Sequence, residues 1–430
     1  MKMNKMMRVA LWVVGIVFVV AMLISAFLHW LRTDQALSIE ARNLIQHDLL
    51  YQPSLKVAPY FDLLGIDAKD QLNPQVLGRW RYHREWANYI GELTSTEQVD
   101  IPNALNQHLV RKHFSEKNTA LFEQLKIALN HQPAKFKILV REHATVLQSL
   151  INQEHIPLKR LNDLWLRTNY VSLPQAPIAT SPNYKYLYQL QILTLAEIEL
   201  NSVDKLHAYK VLFDRALDFT QNRLSIIEKM LTQNLLNQLI EQMREEQLST
   251  PKSLMLQTLN TEQLSIQSSL QNEATTQYLV LQYLSLSYRG AEDGGKWTTF
   301  LPNMTFNELV ERDSIYSELS RVPYHQLKQK MGDLQPKENG GWQIKNSVGH
   351  ILSQVSAPNY ERYIVMTQVL NNKILAFNAL NTGELDIAQL NRNAEGRRYF
   401  EKQGKLCVEI PYPGNEIAAL NLKIDSCVKI

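Results

Sequence analysis

Glycine is scarce in this chain, at 15 of 430 residues, and cysteine is rarer still, at two. So little glycine disfavours all-β architectures, whose tight turns draw on it, and phosphate-cradling loops, whose bare backbone must approach a ligand. Neither sign of charge is in excess: 45 basic residues face 42 acidic ones, for a formal net charge of +3. A nucleic-acid-binding surface concentrates basic residues on one face, and none is expected here. Catalytic signatures are lacking too. There is no G-x-S-x-G elbow, no P-loop or dinucleotide fingerprint, and no C-x-x-C pair for thiol exchange. Metal ligands recur at short spacing on one element, whereas His143 and His155 are far apart, His108 and His113 straddle Arg111 and Lys112, and His325 and His350 stand alone. Paired carboxylates could form a glycosidase site, but Glu197, Glu199 and Asp204 fall in helical stretches whose solvated faces explain them. No catalytic, metal or cofactor-binding residue is therefore expected, and the balance leans away from an enzyme.

What is present begins with one long apolar run. Residues 9–31 read VALWVVGIVFVVAMLISAFLHWL, interrupted only by Ser25 and His29. At ~1.5 Å per residue a helix of that length crosses the ~30 Å hydrocarbon layer. Lys2, Lys5 and Arg8 precede it and favour a cytoplasmic N-terminus, while His29 and Trp30 sit where an interfacial anchor would lie. A cleavable signal peptide would carry an apolar stretch of ~7–15 residues and an A-x-A-like exit. Here the run is longer, and Ile24-Ser25-Ala26 is followed by Phe27 and Trp30, so a signal anchor is expected. The partition is then a tail over 1–8, a transmembrane helix over 9–31, a juxtamembrane helix and turn-rich aromatic segment over 32–100, a helical body over 101–290, a loop-rich and helical part over 291–404, and a terminal β-hairpin over 405–430.

The fold class expected is mainly α: a multi-helix bundle or irregular helical array behind the membrane helix. Leu37, Ala41, Leu44 and Ile45 predict a helix over 33–51 that continues the span. Further helices are expected over Thr119–Leu129, Phe136–Gln153, Leu158–Asn169, Thr275–Leu286 and Tyr360–Leu380, and the longest helical territory over 184–247. In that territory Leu224, Ile227, Leu231, Leu235, Leu239 and Met243 form a stripe read as the core face, with Glu228, Lys229 and Arg244 solvated opposite. Acidic residues among the glycines of 289–295 lack EF-hand spacing and read as a surface loop, and Gly340-Gly341-Trp342 opens the C-terminal part. Two valine- and isoleucine-rich stretches flank Tyr412-Pro413-Gly414-Asn415, a hairpin signal. Such strands would set Cys407 opposite Cys427, and in an oxidising compartment that pair becomes a disulfide.

Two local clusters are candidates for binding. Trp80, Tyr82, Trp86 and Tyr89 form a platform that could stack on a sugar or peptide; ordinary packing of aromatics is the competing expectation. Asn303, Thr305 and Asn307 form a polar cluster that could hold a ligand, or cap a helix starting near Phe306.

Several phrases resemble an uncharacterised group of membrane-anchored proteobacterial proteins: Ala58-Pro59-Tyr60, Leu63-Leu64-Gly65-Ile66-Asp67-Ala68, Asn73-Pro74 with Gly78, Phe213-Asp214-Arg215, Ile227-Glu228-Lys229-Met230, Leu301-Pro302-Asn303-Met304-Thr305-Phe306-Asn307, and Asn346-Ser347-Val348-Gly349 with Tyr360 and Arg362. Ser347 departs from the proline usual there, and the mid-chain cysteines of many relatives are missing. The resemblance implies a Gram-negative inner-membrane protein with a periplasmic body and implies no activity. The expectation is a non-enzymatic interaction or scaffold protein of the cell envelope, bound to the membrane through residues 9–31 and to a protein partner. The alternative is a periplasmic enzyme or glycan-binding protein acting on cell-wall material, with the aromatic cluster and the 303–307 loop lining one cleft.

Overall fold

A computed structural model of the chain describes residues 5–50, 58–68, 72–94, 114–176, 182–249, 253–290, 300–333, 345–355, 360–382, 386–392, 396–409 and 426–430. Outside these lie the Tyr412–Asn415 turn, the glycine-bearing stretches 291–295 and 340–342, and His108 and His113.

The first helix, α1 (Lys5–Arg32), is exposed along most of the length described. Its stretch Val14–Arg32 has a mean hydropathy of 2.4 and none of it is buried, so it is long and apolar enough to cross a membrane. The expected single helix over 33–51 does not form. Residues 33–38 form no regular element, and α2 (Ile39–Leu50) starts afresh with the Ser38 hydroxyl accepting from the Ala41 amide. Serine disfavours a helix interior and favours a cap, which is the local reason for the break.

Helices α3 (Pro59–Leu64) and α4 (Pro74–Thr94) cross closely. A Cβ on Gly78 would come within 2.0 Å of the Phe61 carbonyl oxygen, so only glycine allows the crossing. The loop between them is tied by Arg81, paired at 2.5 Å with Asp67, and by Arg160, whose guanidinium donates to the carbonyls of Ile66, Ala68 and Leu72. Next come α5 (Glu116–His131), α6 (Pro133–Glu142), α7 (Ala144–Gln153) and α8 (His155–Trp165). The stretch expected as one helix over Phe136–Gln153 is thus broken at His143, whose backbone (φ −106°, ψ 20°) leaves the helical path.

The long helical territory resolves into α9 (Tyr184–Asn201), α10 (Lys205–Phe219) and α11 (Ile226–Ser249). Asn183 and Asp204 cap the first two through their side-chain oxygens. Helix α11 is central, touching α6, α10, the later helix α13 (Gln267–Gly290), α17 (Tyr360–Leu380) and the C-terminal sheet. That position overturns the two-faced reading of its sequence. Leu235, Leu239 and Met243 are buried as expected, but Glu228 and Lys229 are buried too, and Ile227 is 45% exposed. Arg244 is half-buried and donates to the Lys429 carbonyl. Surrounded on most sides, the helix finds partners for several of its polar side chains, though not for the buried Gln242 carboxamide among the described residues. Gln233 donates to Thr367, Gln238 to Asn130 and Tyr188, and Lys229 to the Ser265 carbonyl. Likewise Glu199, expected on a solvated face, is buried between Lys205 at 2.7 Å and the Tyr209 hydroxyl.

After the short α12 (Thr261–Leu264), closed by a capping box between Asn260 and Gln263, come α13, α14 (Pro302–Ser320), α15 (Tyr324–Asp333), α16 (Ser347–Val355), α17 and α18 (Ile387–Arg392). Three strands, β1 (Tyr399–Lys402), β2 (Lys405–Val408) and β3 (Cys427–Lys429), form an antiparallel sheet in the order β1-β2-β3. The expected terminal hairpin is the β2–β3 half of it. In their register Cys407 faces Cys427, and the two are joined as a disulfide. The fold is therefore mainly helical with a small C-terminal sheet.

Candidate functional site: the junction behind the membrane helix

The first turn of α14 presents backbone amides with no partner within the helix. Its residue before Pro302, Leu301, offers no side-chain cap. The cap comes from far away in sequence. The Asp34 carboxylate accepts from the amide of Asn303 at 2.9 Å and of Met304 at 3.1 Å. A negative charge at that end also meets the positive end of the helix dipole.

The polar cluster read from the sequence completes the grip. Asn303 donates from its Nδ2 to the Gln35 carbonyl and accepts on its Oδ1 from Gln282. One turn on, Asn307 pairs with the backbone as a strand would: its Nδ2 donates to the Ala36 carbonyl and its Oδ1 accepts from the Ser38 amide. Asn303 and Asn307 thus face the juxtamembrane segment of their own chain rather than capping α14. Thr305 points to the other side. Its hydroxyl donates to the Leu301 carbonyl and pairs with Asn346, a fully buried residue whose Oδ1 accepts from the Leu301 amide.

Asn346 has φ 60°, a left-handed conformation that asparagine tolerates better than most residues. A Cβ on Gly349 would fall 2.0 Å from the Thr305 hydroxyl oxygen, so α16 seats on α14 at a glycine. Behind this polar layer, Leu37, Ala41, Leu44 and Ile45 pack with Tyr278, Leu281, Phe306, Leu309 and Val310. The hold reaches into α1 itself, where the Lys345 ammonium lies 5.0 Å from the Trp30 ring centroid and Phe27 stacks on Trp30.

Next to the junction, α2, α13 and α14 enclose a cavity of about 340 Å3 walled by Leu44, Leu270 and Val310. Asp313 lies at its edge, 6% exposed, with Arg312 at 3.8 Å. Burial pushes its carboxyl up to about 7. Glu273 is likewise pushed up to about 7, chiefly by burial, although its carboxylate accepts from the Ile226 amide. Glu228 is raised by burial while accepting from Tyr170, Ser172 and the Ser225 amide. Lys229 is lowered to about 8, again by burial. These groups lie at helix starts and between helices, and their bonds serve the frame.

The aromatic cluster lies on α4. Tyr82 and Tyr89 are buried, and Trp86 packs against the main core. Tyr82 donates to the Pro174 carbonyl and meets Tyr60 and Phe61, while Tyr89 meets Tyr283 at 5.8 Å between centroids. Trp80 faces elsewhere, with the Arg84 guanidinium 5.8 Å from its ring centroid. Among the described residues no group of three or more metal-ligating side chains converges. No protein-family profile matches the chain, and neither a curated protein nor a solved structure does so.

Proposed function

We propose that this chain is a single-pass inner-membrane protein, with its N-terminus in the cytoplasm, whose periplasmic helical body binds another envelope protein without catalysing a reaction. The observation that carries the reading is the junction: residues 34–38, directly behind the apolar helix, are bonded into the start of α14. A flexible tether would let the body drift from the membrane; this one holds it in a fixed attitude, which suits a scaffold. The basic residues ahead of the apolar run support the orientation, and the Cys407–Cys427 pair supports an oxidising compartment. The glycan or enzyme reading loses support because the amides of Asn303 and Asn307 already serve the chain's own backbone.

Two measurements test the proposal. Alkaline phosphatase fused to the C-terminus is expected to be active, and an inactive fusion of full length would reverse the topology. Photo-crosslinking of the intact protein in membranes is expected to trap one reproducible protein partner. Crosslinks to lipid alone, or turnover of cell-wall fragments by the purified protein, would overturn the scaffold reading.

A further inference from the structure

The end of α14 and the start of α15 bound a cavity of about 470 Å3, which α12, α17 and the turn before β1 also line. Two arginines reach it from different directions, Arg321 beyond α14 and Arg397 ahead of β1, and His325 in the first turn of α15 lines it as well. Arg397 is held in place by its surroundings. Gly396, before it, has φ +84°, and a Cβ there would lie 2.5 Å from the His325 Cβ, so only glycine lets this turn lie on α15. The Arg397 guanidinium then sits 4.6 Å from the Tyr324 ring centroid, and its Nε donates to Asn372 Oδ1 at 3.2 Å. Tyr324 is fixed in turn, donating to the Glu409 carbonyl and accepting from Asn372.

None of the described residues that line the cavity is acidic. Glu262 approaches Arg321 at 3.4 Å, but both side chains are well exposed, and such pairs are weak. At the base of the cavity Gln368 is 2% exposed, and its Oε1 has no hydrogen-bond partner. A buried polar atom left unpaired is costly, and a carboxamide can turn either its acceptor or its N–H2 group toward a ligand. The amides opening α15 add the positive end of a helix dipole. Leu264, Val322 and Pro323 supply an apolar wall.

We propose that this cavity binds a small organic molecule through an oxyanion, a carboxylate or phosphate group seated between Arg321 and Arg397 with Gln368 beneath it. Guanidinium groups suit that chemistry because their paired N–H donors match the spacing of two oxyanion oxygens. The cavity is much larger than the oxyanion itself, so the ligand carries a body that rests on the apolar wall. This inference is independent of the scaffold reading, since it concerns a small molecule and another face of the body.

The test uses the full-length protein in detergent, titrated calorimetrically with inorganic phosphate, with succinate, and with sodium chloride at matched ionic strength. Saturable binding of phosphate or succinate, and none of chloride, is expected; which of the two binds identifies the headgroup. Arg321→Gln and Arg397→Gln should each weaken binding about tenfold, the loss of one guanidinium–oxyanion contact, and Gln368→Leu should weaken it as well. Arg321 is exposed, so its variant keeps the test sound if Arg397→Gln melts early. Absence of saturable binding to both anions, or parental affinity in the Arg321→Gln protein, would overturn the proposal.

Discussion

Replacing Asp34 by alanine isolates what the junction contributes. The carboxylate is the partner of two amides in the first turn of α14, at 2.9 and 3.1 Å. Losing a helix-capping side chain costs about 1 kcal/mol, and losing a negative charge at a helix start adds up to ~1 kcal/mol. Together they amount to about 2 kcal/mol, or roughly a 30-fold rise in local opening. Hydrogen exchange followed by mass spectrometry reads this directly. Peptides covering Asn303 and Met304, and the Gln35–Ser38 stretch they hold, should exchange faster by that factor. Peptides from α10, whose packing does not involve Asp34, should be unchanged. Asp34→Asn keeps an acceptor and loses the charge, so it should fall between the two. Exchange at Asn303 and Met304 within about threefold of the parent would refute the reasoning, because two lost charge-assisted bonds cannot be that cheap.

Other expectations follow from the same frame. Gly78→Ala forces a Cβ to within 2.0 Å of the Phe61 carbonyl oxygen, so α3 and α4 must separate, at a cost of about 3 kcal/mol or more; an unshifted thermal midpoint would contradict this. Opening the Cys407–Cys427 bridge by Cys427→Ser should destabilise the fold by about 3 kcal/mol in the chain-entropy model for a separation of 20 residues, and two free thiols in non-reducing mass spectrometry of the parent would remove the bridge altogether. Glu273 holds its proton up to about 7 in the fold, against 4.5 as its ordinary value. The folded protein therefore binds more protons than the unfolded chain across that window, and the contribution of Glu273 to stability is complete below 4.5 and lost as pH rises towards 7. Glu273→Gln should make the stability-versus-pH slope shallower there by up to ~1.4 kcal/mol per pH unit, measured by denaturant titration.

The apolar helix, the helical class and the cysteine pairing were legible because each rests on a local pattern. What was missed depends on what surrounds a residue. Glu228 looked solvated because it lies off the leucine stripe, yet Ser225-Ile226-Ile227-Glu228 is the S-x-x-E spacing of a capping box, and the structure forms it: the Ser225 amide donates to Glu228 and the Glu228 amide to the Ser225 hydroxyl. That signal was available in the sequence. The burial of Gln238 and Lys229 was not, since it follows from α11 being enclosed by four helices and a strand. The Asp34 cap was equally hidden, because 269 positions separate it from Asn303. At residues 399–402 the strand has four residues, of which only Tyr399 is buried and Phe400 is exposed, so it carries little of the alternation that marks a strand.

Two joints of the fold, both apart from the cavity, rest on close backbone approach and paired polar side chains. Gly65, Asp67 and Gly78 belong to the α3–α4 crossing; Asn303, Thr305, Asn307, Asn346 and Gly349 belong to the junction behind α1. Arg321, Gln368 and Arg397 lie in neither. Joints tolerate little change because the permitted atoms are few, which makes Gly349→Ala a sharp test of this division. The added methyl would fall 2.0 Å from the Thr305 hydroxyl oxygen and 2.2 Å from Asn346 Oδ1, breaking the bonds that tie α16 to α14. It should loosen residues 301–307 and the linker they grip, at a cost of about 1–3 kcal/mol, while phosphate or succinate binding near Arg397 stays at the parental level. If that variant lost anion binding without global unfolding, the junction and the cavity would be one coupled device rather than two separate features.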